Sequence, residues 1–135
     1  MTWVAALAMF VCLMASSVNG GETISKAPAA PEMPADWKIV SDFDVPVDQV
    51  EQIAQKLGVS LSSLRNTLYD VRGQSVQLNV IIVLDRANAD KLMTKLRTMK
   101  GEVALLQKDL VVYEFVGKND VLPLIAEGRK HLDSK

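Results

Sequence analysis

The stretch Ser75–Asp85 (SVQLNVIIVLD) constrains the fold more than any other part of the sequence. Apolar side chains occupy every second position, so one face of an extended strand would be apolar from end to end. The opposite face begins polar, with Gln77 and Asn79, and ends apolar, with Ile81 and Val83. The stretch is rich in Val and Ile, contains no Gly or Pro, and is too short to span a membrane. It therefore predicts the central strand of a sheet, covered fully on one side and partly on the other.

The N-terminal part of the 135-residue chain has the pattern of an export signal. Trp3–Ala15 is continuously apolar, small and polar residues follow it, and the first charged side chain is Glu22. This pattern predicts a secretory signal peptide over residues 1–20, and hence a secreted or periplasmic protein. No Lys or Arg precedes the apolar run, so an uncleaved anchor is the alternative, and only then would the protein contact a membrane. The single cysteine, Cys12, lies inside this run, so a cleaved protein would have no thiol.

Composition divides the remainder into a linker and one domain. Residues 21–35 are rich in Pro and Ala without a hydrophobic period, which predicts a disordered linker. Residues 36–135 then form a single domain. The chain has 15 Lys plus Arg against 16 Asp plus Glu, whereas nucleic-acid binding normally requires a basic excess. Residues 54–68 resemble a helix-turn-helix in the spacing of their apolar residues, but Arg65 is the only cation in the second half of that stretch.

The first half of the domain contains one ambiguous segment. Trp37–Phe43 predicts a strand, and apolar residues at helical spacing predict a helix over 47–57 that Gly58 ends. Residues 61–71 fit either a helix, from the spacing of their leucines, or one arm of a β-hairpin whose turn contains Gly73. We favour a short turn at Ser60–Leu64 followed by a strand over Arg65–Val71.

The second half gives a helix, two strands and a final helix. Asn88–Lys100 is the clearest helix, with Asn88 as its expected cap, and Val103–Gln107 and Leu110–Val116 follow as strands. A last helix begins near Asn119 or Asp120. The order β-α-β-β-α-β-β-α predicts an α+β fold, specifically a two-layer split β-α-β (ferredoxin-like) sandwich with an antiparallel sheet and helices mainly on one face.

No residue set names a reaction, and no cofactor is predicted. His131 is the only histidine, so the sequence contains no two-histidine metal site. The strongest acidic cluster is Asp42, Asp44 and Asp48, a weak candidate for a metal site or a hydrolase, because it lacks the glycine and closing glutamate of a calcium loop. Lys91 and Lys95, one turn apart, form a weak candidate basic face for an acidic partner or anionic lipid.

The sheet itself supplies the main candidate for a partner surface. If helices cover the side bearing Val80 and Ile82, the opposite side carries an apolar patch, and such patches are rarely left bare. Either the last helix covers this patch or it is an interface, for example of a homodimer packed sheet to sheet. The sequence thus predicts an exported, non-enzymatic interaction or ligand-binding module acting through a sheet face. A small inhibitor or prodomain-like module and the hydrolase are the alternatives. The predicted patch consists of Ile81, Val83, Val112 and Val116.

Overall fold

The computed structural model describes residues 30–100 and 104–135, in which five strands form one antiparallel sheet accompanied by three α-helices. The predicted α+β class and the predicted order of elements along the chain are confirmed. The predicted signal peptide and residues 21–29 of the predicted linker lie outside the described residues. The elements are β1 (Trp37–Asp44), α1 (Val47–Leu57), β2 (Leu61–Val71), β3 (Gln74–Val83), α2 (Arg86–Lys100), β4 (Leu105–Lys108), β5 (Val111–Val116), a 3-10 turn (Asn119–Val121) and α3 (Leu122–Asp133).

The strand order is β1-β2-β3-β5-β4, and each neighbouring pair is antiparallel. The split β-α-β order is not confirmed, because β1 and β2 are direct neighbours and no strand lies between them. Periodicity identifies which residues form strands, but strand order depends on contacts between residues far apart in sequence. The expectation that Ser75–Asp85 supplies the central strand is confirmed: β3 lies in the middle of the sheet, between β2 and β5.

The ambiguous segment is a strand along its whole length. β2 begins at Leu61, so the turn predicted at Ser60–Leu64 is wrong and the hairpin interpretation is correct. The β2–β3 turn has positive φ at both Arg72 (52°) and Gly73 (85°), as a two-residue hairpin turn of the primed type requires. Asp70 Oδ1 accepts a hydrogen bond from the Gly73 N–H at 2.8 Å, which holds the turn closed.

The helix ends partly match their sequence signals. Gly58 ends α1 in the left-handed conformation, and its N–H donates to the Ala54 carbonyl at 2.8 Å. At the start of α2 the expected cap is wrong, because Asp85 rather than Asn88 accepts the hydrogen bond from the helix: its Oδ1 lies 2.9 Å from the Asn88 N–H. This hydrogen bond is the main reason that the pKa of Asp85 is lowered. The Asn88 side chain instead accepts from the Ser60 N–H at 2.9 Å, which ties α2 to the start of β2.

The helices pack on both faces of the sheet. α1 and α2 cover one face, which we call the α1/α2 face, where Ile53, Leu92 and Leu96 pack on sheet residues such as Ile81 and Val112. α3 covers the opposite α3 face over a second core cluster, whose largest members are Trp37, Tyr69, Leu78, Phe115, Leu124, Ile125 and Leu132. Helices therefore lie mainly, but not solely, on one face.

Residues just before β1 contact the last helix and the C-terminal residue. His131 Nε2 lies 3.1 Å from the Glu32 carbonyl oxygen, and Lys135 Nζ donates to Glu32 Oε1 at 2.8 Å. The Met33 methyl group lies close to the backbone of Gly128 on α3. Glu32 and Met33, which precede the predicted start of the domain, therefore lie against the C-terminal part of the chain.

Candidate functional site

The predicted partner patch is part of the hydrophobic core. Ile81, Val83 and Val112 are 2%, 1% and 0% exposed, respectively, and pack beneath α1 and α2, while Val116 is half-buried at the end of β5. The prediction of a bare interface at these residues is therefore wrong. The expected cover by the last helix is also wrong, because α3 lies on the opposite face. The alternation in β3 distinguishes the two faces of the strand, but it does not say which helix covers which face.

Beside this apolar region lies a buried polar network that joins three strands. Asn79 Nδ2 donates to Glu114 Oε1 at 2.9 Å, and Asn79 Oδ1 accepts from Asn66 Nδ2 at 2.8 Å and from Gln77 Nε2 at 3.3 Å. Glu114 is 0% exposed and Asn79 is 1% exposed. From the sequence, Gln77 and Asn79 are only the polar start of a partly covered strand face, because the alternation in β3 does not reveal the partners that Asn66 and Glu114 supply from the neighbouring strands. The network holds β2, β3 and β5 in register.

Arg65 brings two members of the predicted acidic cluster together. Its Nε and Nη2 donate to the two carboxylate oxygens of Asp42 at 2.8 and 2.7 Å, and its Nη1 donates to Asp44 Oδ1 at 3.0 Å. The hydrogen bond to Asp42 is the main cause that raises the pKa of Arg65, with partial burial opposing it. Thr67 Oγ1 also donates to Asp42, at 2.9 Å. This closed ion pair joins the edge strand β1 to β2.

The third member of the acidic cluster lies apart. Asp48 is exposed in the first turn of α1, where its charge suits the helix dipole. Among residues 30–100 and 104–135, no group of three or more His, Cys, Asp or Glu side chains could hold a metal ion. Since Arg65 engages Asp42 and Asp44, this arrangement can stabilise the edge of the sheet.

The predicted basic face has one structural and one exposed member. Lys95 Nζ donates to the Leu57 carbonyl at 2.9 Å, at the last residue of α1, where a cation suits the helix dipole. Lys91 is exposed and borders a shallow groove between α1 and α2. The structure therefore gives Lys95 a packing role between the two helices.

A cleft of about 400 Å³ lies between α2, β4 and α3, and we call it the arginine cleft. α2 contributes Arg86 and Arg97, which lie eleven residues apart and therefore about three turns apart on one side of the helix. α3 contributes Arg129, whose Nε donates to the Leu105 carbonyl at 2.6 Å. The cleft thus draws three guanidinium groups from two helices on opposite faces of the sheet.

Two carboxylates also line the arginine cleft. Asp109 Oδ1 lies 3.3 Å from Arg86 Nη2, in an exposed ion pair, and Asp90 lines the same wall one turn along α2. Three cations against two anions leave the cleft with a net positive charge. The guanidinium group presents several N–H donors in a plane, which suits the paired oxygens of a carboxylate or phosphate. The arrangement can therefore bind an anion.

Sequence reasoning missed this cleft because its cations are far apart in the chain. It identified Lys91 and Lys95 as the basic side of the helix, whereas Arg97 follows Lys91 by six residues and therefore points to another side of α2. Arg129 lies on α3 and contacts β4, the last strand in the order of the sheet. The helical spacing of Arg86 and Arg97 was the one signal in the sequence that could have indicated the cleft.

The chain matches no protein-family model, no curated protein and no solved structure at a significant level. Within the described ranges, no helix is both long and apolar enough to cross a membrane. The apolar run Trp3–Ala15 lies outside those ranges. The function must therefore be inferred from the geometry of the described residues.

Proposed function

We propose that this chain is an exported, non-enzymatic binding module that recognises an anionic ligand in the arginine cleft. The observation that carries the proposal is that Arg86, Arg97 and Arg129 all line one concave surface beside β4. The N-terminal signal pattern supports secretion or a periplasmic location. Of the functions that the sequence suggests, ligand binding by an interaction module agrees best with this geometry.

The contacts of the other candidate surfaces argue against a binding or catalytic function there, and so support the proposal. The apolar patch of β3 and β5 lies in the core, so a partner on that sheet face would have to displace α1 and α2. The hydrolase alternative needs carboxylates that can reach a substrate, but Arg65 holds both Asp42 and Asp44. No specific observation favours an inhibitor or a prodomain-like module.

Anion binding to the whole chain, purified from a secreting host, tests the proposal. Inorganic phosphate and citrate serve as probes, with choline as the cationic control, and two-dimensional NMR reads the backbone amides. We expect both anions to shift the amides of β4 and of the side of α2 that carries Arg86 and Arg97. Because a hydrogen bond to a charged group contributes about 1.5–3 kcal/mol, Arg97→Gln should weaken binding by about tenfold or more.

Lys130→Gln is the matched control for these variants. Lys130 lies on α3 next to Arg129, is exposed, and does not line the arginine cleft. Its replacement by Gln makes the same change in net charge as Arg97→Gln. If Lys130→Gln weakens anion binding as much as Arg97→Gln does, the anion is attracted by net charge alone and the proposed site is wrong. Shifts spread over the whole surface would have the same meaning.

A further inference from the structure

The floor of the arginine cleft is the free edge of the sheet. Among the strands of residues 30–100 and 104–135, β4 is the last in the order β1-β2-β3-β5-β4, and β5 pairs with one of its sides. Arg129 reaches the Leu105 carbonyl from α3 at 2.6 Å, and this contact indicates that the carbonyl points away from β5. Since backbone groups of alternate residues in a strand point to the same side, the N–H and carbonyl of Gln107 point outward with it.

The walls of the cleft run parallel to this edge. Arg86 lies at one end, paired with Asp109 just after β4, and Arg97 lies toward the other end, where α2 leads into β4. Eleven residues of helix span about 16 Å, and five residues of extended chain span about 17 Å. The distance between the two arginines along α2 therefore matches a segment of about five residues lying beside β4.

We propose that the ligand of the arginine cleft is an extended acidic peptide segment of a partner protein, which pairs with β4 as an additional strand. This inference rests on the proposed function, because it assigns the ligand class of the same site. The peptide backbone bonds to the outward groups of Leu105 and Gln107, and its carboxylates meet the guanidinium groups on the two walls. Strand addition of this kind takes its affinity from the backbone and its selectivity from alternate side chains.

Arg129 has a particular role in this arrangement. In the free protein its guanidinium donates a hydrogen bond to the Leu105 carbonyl, which is one of the groups that an incoming strand needs. A bound peptide supplies its own N–H to that carbonyl, and Arg129 then turns to a carboxylate of the peptide. Exchange of one partner for another leaves neither group unsatisfied. A peptide without a carboxylate at this position would leave Arg129 without a replacement, so Arg129 also guards the edge against unrelated strands.

The test uses fluorescein-labelled peptides of consecutive Glu residues, whose carboxylates extend to both faces of the sheet, and measures fluorescence anisotropy with the whole secreted chain. One backbone-methylated version carries a methyl group on every second residue, which leaves one edge of the peptide able to pair, and the other version carries a methyl group on every residue. We expect the unmethylated peptide to bind, one methylated version to lose about tenfold or more in affinity, and the other to keep it. Only the set of N–H groups that faces β4 is needed for pairing.

The variants test the charges of the site. Arg129→Gln and Arg97→Gln should each weaken peptide binding by about tenfold or more, and Lys130→Gln should not. Arg97→Gln keeps the bond between Arg129 and Leu105, so it remains informative even if Arg129→Gln lowers the melting temperature. A peptide with Lys in place of Glu should not bind.

The outcomes separate this inference from the function on which it rests. If both methylated peptides bind equally, the ligand does not pair with β4 and the inference is overturned, although anion binding stands. If phosphate and citrate bind in an arginine-dependent way and the peptide does not, the ligand is a small anion and the inference is again overturned. If none of these probes depends on Arg97 or Arg129, both proposals are wrong.

Discussion

Replacing Asn79 by leucine tests whether the buried polar network stabilises the sheet. Asn79 is the only described residue that hydrogen-bonds in this network to Asn66, Gln77 and Glu114 alike. Leucine has a similar size but cannot form these bonds. The change therefore removes the 2.9 Å hydrogen bond to Glu114 Oε1 and the 2.8 Å hydrogen bond from Asn66 Nδ2, both in the interior of the α1/α2 face.

The expected cost follows from these two losses. A buried polar group that loses its partner costs about 1–3 kcal/mol, so the two together cost about 2–6 kcal/mol. Burial of the leucine side chain offsets about 1–2 kcal/mol of this. A domain of this size has about 5–15 kcal/mol of total stability, so Asn79→Leu should remove a large fraction of it. The bond to Gln77, at 3.3 Å, adds little.

Urea denaturation followed by circular dichroism measures the effect, and a double-mutant cycle with Glu114→Leu isolates the interaction. Because either single variant already breaks the hydrogen bond between Asn79 and Glu114, the double variant should be less destabilised than the sum of the two single variants, by about 0.5–3 kcal/mol. Ser75→Val, an exposed change on the same strand, is the control. If the single effects simply add, or if Asn79→Leu leaves the denaturation midpoint unchanged, the network does not stabilise the register of the sheet.

Three further predictions concern the core and the tyrosines. Ile81→Lys should unfold the domain, because Ile81 is 2% exposed beneath α1 and α2. If circular dichroism and light scattering instead show a folded, monomeric variant, Ile81 is not a core residue and the predicted partner surface at Ile81 is supported again. Gly128→Leu should destabilise the domain by about 1–3 kcal/mol or more, since even a Cβ at this position would lie 2.5 Å from Trp37 Cη2, whereas Ala126→Leu on the exposed side of α3 should not change the melting temperature. Burial, with a smaller contribution from Asp42, raises the pKa of Tyr69 to about 12, so in a Tyr113→Phe variant the tyrosinate absorbance should appear near pH 12 when folded and near pH 10 in urea. The folded state favours the neutral phenol, so its contribution to stability is complete below pH 10 and is lost between about pH 10 and 12; a folded-state titration near pH 10 would show that Tyr69 is not buried.

Local patterns in the sequence predicted the elements better than their arrangement. The alternation in Ser75–Asp85 identified the central strand, and Gly58 and Gly73 marked a helix end and a hairpin turn, because each of these signals depends on residues close together in the chain. The strand order and the helices that cover each face depend on long-range packing, which periodicity does not encode. For this reason Ile81 and Val83 were assigned to the wrong environment.

The functional site was the part least accessible to sequence reasoning. Asp42 and Asp44 lie two residues apart in the sequence, but their ion pairs with Arg65 depend on the register at which β2 pairs with β1. Similarly, Arg129 joins the cleft only because α3 and α2 meet at the same edge strand from opposite faces. A residue pattern can indicate a charged side of one helix, whereas a cleft requires the relative positions of several elements.

The two edges of the sheet differ in a way that explains why a peptide would pair with β4 rather than β1. β1 contains a β-bulge between Ile39 and Ser41, which interrupts the regular spacing of its outward N–H and carbonyl groups. Ile39 and Val40 at this bulge are 55% and 61% exposed, so β1 presents apolar side chains without a regular ladder. β4 is short but paired with β5 at every one of its four positions, without a bulge, and charged walls flank it. A strand that needs both backbone partners and counter-ions therefore finds them together at β4, and the bulge in β1 protects the other edge against pairing.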